Sequence, residues 1–165
     1  CQGLQACAGC RAAFGGHAMA AGLSLSREQV TLFSEAFEAC AAAMDRELFI
    51  PRLLYDAEVT LSEISMKTVH ELEQMAPFGM GNPEPQFLIR GVTARRVDIL
   101  GEQHLRFIAV QGGYSHTAIA FGMASRSELL QEPVDLLVSP QVNRYKGRET
   151  LQLKVKDLRP VEVLP

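Results

Sequence analysis

The sequence predicts an α+β chain in which an acidic, largely helical segment precedes a basic segment of five strands closed into a barrel. Three observations carry that prediction. Residues 1–85 hold five Lys/Arg against eleven Asp/Glu, whereas residues 86–160 hold eleven against seven. Apolar spacing changes from helical to alternating at Gln86. Between the two regimes lies a dense cluster of turn formers, Pro77-Phe78-Gly79-Met80-Gly81-Asn82-Pro83-Glu84-Pro85. The formal net charge of −3 conceals this division, and such asymmetry points to a basic working surface on the second segment.

Composition excludes several classes. With 165 residues, 47% hydrophobic and 21% charged, the chain is neither disordered nor collagen-like nor a disulfide mini-scaffold, and it is long enough to bury a core. No apolar run approaches the roughly 18 residues of a membrane span, and no signal-like region opens the chain, so no membrane partner and a cytoplasmic location are expected. The first residue is Cys1 rather than Met, from which a start inside a longer protein is expected.

The elements follow in order. Residues 4–13 are rich in Ala, Leu and Gln and read as helical, and Phe14-Gly15-Gly16-His17 breaks them with a diglycine turn. Ser26-Arg27-Glu28-Gln29 has the form of a capping box, followed by Val30, Phe33, Phe37, Cys40 and Met44 at helical spacing, which predicts a helix over 27–45. Leu48 to Val59 alternates as a strand would. Ser62 is placed as the cap of a helix whose apolar face carries Val69, Leu72 and Met75, and Pro77 stops it at Ala76. The expected organisation is a first domain over 1–50, a connecting strand, helix and Pro-Gly joint over 51–85, and a second domain over 86–160.

In the second domain, strands are predicted over 87–99, 105–111 and 115–122, with Leu105, Phe107 and Ala109 alternating against Arg106, Ile108 and Val110. Gly112-Gly113 marks a hairpin. A short amphipathic helix over 125–131 precedes strands at 134–142 and 150–155, joined by a turn over 143–148 that contains Gly147. Three strands, a helix and two strands in this order are expected of an OB-fold barrel; a five-stranded barrel that binds nothing has the same order.

Gly15-Gly16-His17 lets main-chain amides approach an anionic group beside an imidazole, although from the tripeptide alone a glycine cap with a surface histidine is the simpler reading. Cys7-Ala8-Gly9-Cys10 has zinc or redox spacing, but a second ligand pair is missing and an Ala-rich context favours small packed side chains. Arg95, Arg96, Arg106, Arg126, Arg144, Lys146, Arg148, Lys154 and Lys156 are interleaved with Phe107, Tyr114, His116 and Tyr145. Cations among aromatic rings are what single-strand binders use, while alternating Lys and Arg also make the wet face of any exposed sheet. Gly79 and Gly81 could offer amides to phosphate, yet the proline-rich cluster reads better as a rigid joint.

Three strings together resemble the C-terminal part of the RecJ family of single-strand-specific DNA exonucleases. They are Phe14-Gly15-Gly16-His17-Ala18-Met19-Ala20-Ala21-Gly22-Leu23, then Leu72 with Ala76 to Pro85, then Asn143-x-Tyr145-x-Gly147 running into Leu151-Gln152-Leu153 and Asp157-Leu158-Arg159-Pro160. They fall in the family's order and span nearly the whole chain. The resemblance implies a truncated α/β DHH-associated domain followed by a five-stranded OB-fold domain. It also implies that Gly15, Gly16 and His17 line the nuclease cleft, with His17 in an accessory catalytic role and all three holding the DNA backbone. Arg95, Arg96, Arg106, Phe107, Arg144, Tyr145, Lys146 and Arg148 are the expected DNA contacts on the barrel, and the 143–148 turn is the foremost of them.

The family's metal core, an Asp-His-His motif with further aspartates, belongs to an N-terminal domain absent from this sequence. His17, His70, His104 and His116 are scattered. No metal ligand is therefore expected here, Mn²⁺ or Mg²⁺ belongs to the missing domain, and the chain alone is not expected to hydrolyse DNA. The implied parent is a 5′ to 3′ exonuclease of DNA repair and recombination, with single-stranded DNA as partner and single-strand-binding protein as a second one. Two alternatives stay open: a pure DNA- or repair-protein-binding module, and another DHH-superfamily phosphodiesterase acting on short RNA or dinucleotides.

Overall fold

A computed structural model describes residues 13–16, 21–50 and 52–161. The chain forms two compact units that meet in sequence between Leu53 and Leu54.

In the first unit, strands β1 (Ala13–Gly16) and β2 (Ala21–Ser24) pair antiparallel, with Phe14 opposite Leu23 and Gly15 opposite Gly22. Gly15 and Gly16, expected in a turn, are thus extended, standing opposite Gly22 and Ala21 in an antiparallel ladder that needs no side chain to pair backbone. The predicted helix over 4–13 lies outside the described residues except for Ala13, which is in β1. The predicted capping box is present, with the Ser26 amide donating to Gln29 Oε1 at 3.4 Å. A 3₁₀ turn (Arg27–Gln29) runs into helix α1 (Val30–Ala42), where Phe33 and Phe37 stack at 5.7 Å. The helix stops short of the expected Asp45. That carboxylate instead accepts from the Glu47 amide at 3.0 Å and caps a second 3₁₀ turn (Arg46–Phe49), the use for which aspartate is better suited.

The second unit begins before the predicted barrel. Of the strand expected over 48–59, β3 (Ala57–Glu58) alone forms among the described residues, parallel to the start of β4. Helix α2 (Met66–Glu73) is capped by Ser65, whose hydroxyl accepts from the Thr68 amide at 3.1 Å. Ser62 sits one turn earlier, where Glu63 accepts from the Thr60 amide at 2.7 Å. The Ala76–Pro77 bond is cis, and the Asn82 side-chain amide donates to the carbonyls of Met75 and Pro77 at 2.8 and 3.1 Å. The Pro-Gly cluster, expected as the joint between the segments, lies wholly inside this unit and is folded back on the end of α2.

The barrel comprises β4 (Phe87–Leu100), β5 (His104–Gln111), β6 (Tyr114–Ala120), a 3₁₀ helix (Ala124–Gln131), β7 (Val134–Tyr145) and β8 (Arg148–Pro160). Its order is β4-β5-β6-β8-β7, and β7 pairs back onto β4 to close it; β6 and β8 are parallel and the other neighbours antiparallel. This is the five-stranded OB arrangement predicted. Strand β4 serves both sides by bending. Its first half pairs with β7 and its second with β5, and the register shift between Ile89 and Val92 contains Gly91 at φ +62°. Asp135, 1% exposed, holds that bend by accepting from the Gly91 amide at 3.1 Å and from Arg90 at 3.3 Å.

Alternate residues of every strand fill the interior. Leu105, Phe107 and Ala109 face Ala118 and Ala120 across β5 and β6, against Leu136, Val138, Leu153 and Val155. One barrel end is plugged by Leu61, Ile64 and Val69 from the preceding segment. Leu61 donates its amide to Gln111 Oε1 at 2.8 Å, and its carbonyl lies 3.1 Å from His116 Nε2. The segment over 54–85 therefore contributes Leu61, Ile64 and Val69 to the barrel's core.

Candidate nucleic-acid interface

The β7–β8 connection differs from the expected six-residue turn. Strand β7 runs to Tyr145 and β8 restarts at Arg148, leaving only Lys146 and Gly147 between them, at φ +49° and +74°. Two consecutive left-handed residues make a type I′ hairpin, whose twist matches that of its strands. Tyr145, 64% exposed, is cross-strand partner of Arg148, and Lys146 Nζ lies 5.3 Å from its ring centroid. Ring and cations so meet at one exposed tip.

Arg144 occupies the next rung and is otherwise engaged. Its Nη1 and Nη2 donate to the two carboxylate oxygens of Glu73 on α2 at 2.8 and 2.9 Å, and its Nε donates to Glu149 at 2.9 Å. His70 Nε2 lies 3.5 Å from the other Glu149 oxygen. Hydrogen bonding to Arg144 holds the Glu73 carboxyl below the usual carboxylate range, and the same bonds raise the guanidinium's pKa further. This network fastens the hairpin to α2, an anchoring role that the sequence reading had not given Arg144.

On β4, Arg95 and Arg96 sit at the bulge where pairing with β5 skips from Arg95 to Asp98; Arg96 has φ +52°. Both are exposed, and among the described residues neither has a carboxylate partner. Arg106 pairs with Asp98 at 2.8 Å. Phe107, expected as a DNA contact, is fully buried. Its odd position on β5 places it with Leu105 and Ala109, and burying the ring against the core removes far more apolar surface from water than the outer face offers. Gly15 and Gly16 lie on β1, and His17 lies outside the described residues, as do Cys7 and Cys10.

The strand register brings Arg95, Ile108 and Thr117 into one outward row and Asp98, Arg106 and Ile119 into the next. The sheet continues to Gln152 and Lys154 on β8, which stand opposite Thr117 and Ile119. Lys154 and Lys156 both reach Glu84, at 3.4 and 2.6 Å. Partial burial raises the Glu84 pKa, but the hydrogen bond and charge of Lys156, with Lys154, outweigh it and leave the carboxyl lowered. Ile108 and Ile119 lie among these side chains on the outer face, and the alternation of β5 places Ile108 beside Arg106 in the sequence itself. Among the described residues no group of three or more His, Cys, Asp or Glu is placed to hold a metal, and no helix is long and apolar enough to cross a membrane.

Residues 55–157 match the sequence profile of the RecJ OB domain. The chain belongs to that family. It is 30% identical over 155 residues to the single-stranded-DNA-specific exonuclease RecJ of Haemophilus influenzae and 31% over 155 residues to that of Escherichia coli, in each case over 90% of this chain. Those alignments cover 27% and 26% of the relatives, so the chain spans about a quarter of their length. The crystal structure of RecJ in complex with Mn²⁺ from Thermus thermophilus is similar at a TM-score of 0.74 with 25% identity, over 99% of this chain and 24% of that one. In this RecJ OB domain the outer faces of β5 and β6 and the β4–β5 and β7–β8 turns occupy the positions with which OB-folds bind oligonucleotides.

Proposed function

We propose that this chain is the strand-gripping part of a RecJ-like, single-strand-specific 5′ to 3′ DNA exonuclease acting in the cytoplasm in DNA repair and recombination. The observation that carries the reading is a RecJ OB domain that presents, without ion pairs among the described residues, Arg95 and Arg96 on β4 and, beside Tyr145 at the hairpin tip, Lys146 and Arg148. Such cations meet phosphates, and exposed rings stack on bases that a duplex would hide.

In this reading hydrolysis belongs to another domain of the parent, which holds the Mn²⁺ or Mg²⁺, and the chain alone does not hydrolyse DNA. Gly15, Gly16 and His17 belong to the cleft wall in this reading, and His17→Ala in the complete parent lowers turnover on single strands. Single-strand-binding protein is a second partner of the same reading. The test is a titration of the chain with labelled single- and double-stranded oligonucleotides at several salt concentrations. Tighter binding of the single strand, weakening steeply with salt, is the expected result; equal affinity for both forms overturns the proposal.

A further inference from the structure

At the end of the outer sheet face opposite the hairpin tip, the structure leaves an aromatic ring in the open. Phe121 follows β6 directly and is 52% exposed. Leu105 stands opposite Ala120, so the antiparallel register carried one step further sets His104 beside Phe121. The two rings meet edge to face, with centroids 5.2 Å apart at 70°. The imidazole is itself held: the Gly122 amide donates to His104 Nδ1 at 2.9 Å. A nitrogen that accepts carries no proton, so in the neutral ring Nε2 is the N–H donor. The next segment is tied down as well, by the Ala124 amide donating to the Gln103 carbonyl at 3.1 Å.

The surroundings select among ligands. Arg106 lies two residues along β5 on the same face, about 7 Å away at ordinary strand rise, and Arg95 lies opposite Ile108 one row further. Acidic groups are present too: Asp98 is engaged by Arg106, and Glu102 is exposed in the β4–β5 turn. An oriented ring backed by an N–H donor, with Arg95 beyond the Arg106–Asp98 pair and free of a carboxylate partner among the described residues, matches a base stacked on a flat π-face with its phosphate over Arg95.

We propose that Phe121 and His104 form a base-stacking platform for a single DNA strand, with Phe121 as the stacking face and His104 holding the ring and offering its Nε2 proton. The inference rests on the strand-binding reading and extends it: Tyr145 and Phe121 bracket the outer face, one at each end. Seven residues of β6 separate the two ends, about 23 Å at roughly 3.3 Å per residue, a span in keeping with OB-folds that occupy several nucleotides.

The experiment measures fluorescence anisotropy of the full chain with a labelled oligo-dT and with an abasic oligonucleotide of equal length and charge. Phe121→Ala is expected to weaken oligo-dT binding about 5- to 150-fold, the range for losing one stacked base, with an unchanged salt slope. It should leave the abasic affinity alone. Phe121→Tyr should retain oligo-dT binding, whereas Phe121→Leu, which keeps apolar volume without a ring, should lose it. His104→Ala should lose a smaller part. Thermal melts of the four variants establish that each is folded. Equal oligo-dT affinity of Phe121→Ala and the unaltered chain overturns the platform, as does an equal loss on the abasic strand, or a loss in Phe121→Tyr as large as in Phe121→Leu. Failure of the unaltered chain to prefer single strands overturns the strand-binding reading itself, which separates the two.

Discussion

Replacing Lys146 by Asn should move stability and DNA binding in opposite directions. Lys146 is the first central residue of the β7–β8 hairpin, at φ +49°, a region that costs an ordinary L-residue roughly 1–2 kcal/mol and asparagine less. The Asn-Gly pair so created is the preferred type I′ sequence. Against that gain stands the loss of the Lys146 ammonium 5.3 Å from the Tyr145 centroid, worth about 0.5 kcal/mol at an exposed site. The net is about 0.5 kcal/mol of stabilisation, or roughly 1–2 °C in a melt of a domain this size. The same change removes one cation from the tip. For single strands each neutralised phosphate contributes about 0.7 to the slope of log K against log salt. Between about 50 and 200 mM salt the variant should therefore lose about 2.6-fold less affinity than the unaltered chain. Circular dichroism melts and salt-dependent anisotropy check both. A lower melting temperature would refute the turn argument, and an unchanged salt slope would refute a phosphate contact at Lys146.

Other changes separate anchoring from contact. Arg144→Gln should leave the salt slope unaltered, because the guanidinium is engaged by Glu73 and Glu149; hydrogen exchange of the hairpin amides should quicken as its tie to α2 is lost. Phe107→Ala should destabilise the barrel by about 3–5 kcal/mol in urea unfolding, as truncating a fully buried ring does, with the DNA affinity of the molecules that remain folded unchanged. Glu84 is a carboxyl lowered in the folded state by Lys156 and Lys154 despite its partial burial. Its stabilising contribution is complete above the unfolded carboxylate value of about 4.3 and disappears as pH falls through the lower folded value. Glu84→Gln should accordingly narrow the difference between melting temperatures at about pH 7 and about pH 3; an unaltered difference would place that pH dependence elsewhere.

Much of the barrel was legible because its signals are local. Period-two alternation set the inward face of β5, paired glycines marked the β5–β6 hairpin, and Ser26 with Gln29 marked the start of a helix; each depends on residues within a few positions of one another. The misreadings arose where several local patterns competed. Asp45 caps the turn after α1 instead of ending that helix, Ser65 caps α2 in place of Ser62, and Gly15-Gly16 lies in a strand and not a turn.

The sequence by itself determined the strand order, the basic character of the second segment and the family, because these reside in chain order, residue type and motif spacing. Tertiary structure alone decided which of those basic and aromatic residues are available. Glu73 reaches Arg144 across 71 positions and Glu84 reaches Lys156 across 72, so two cations that read as equals of Lys146 are already neutralised. Phe107 and Phe121 are both phenylalanines near arginines in the sequence, yet one is fully buried and the other half exposed. The closing of the sheet into a barrel has an inside and an outside, and that distinction separates them.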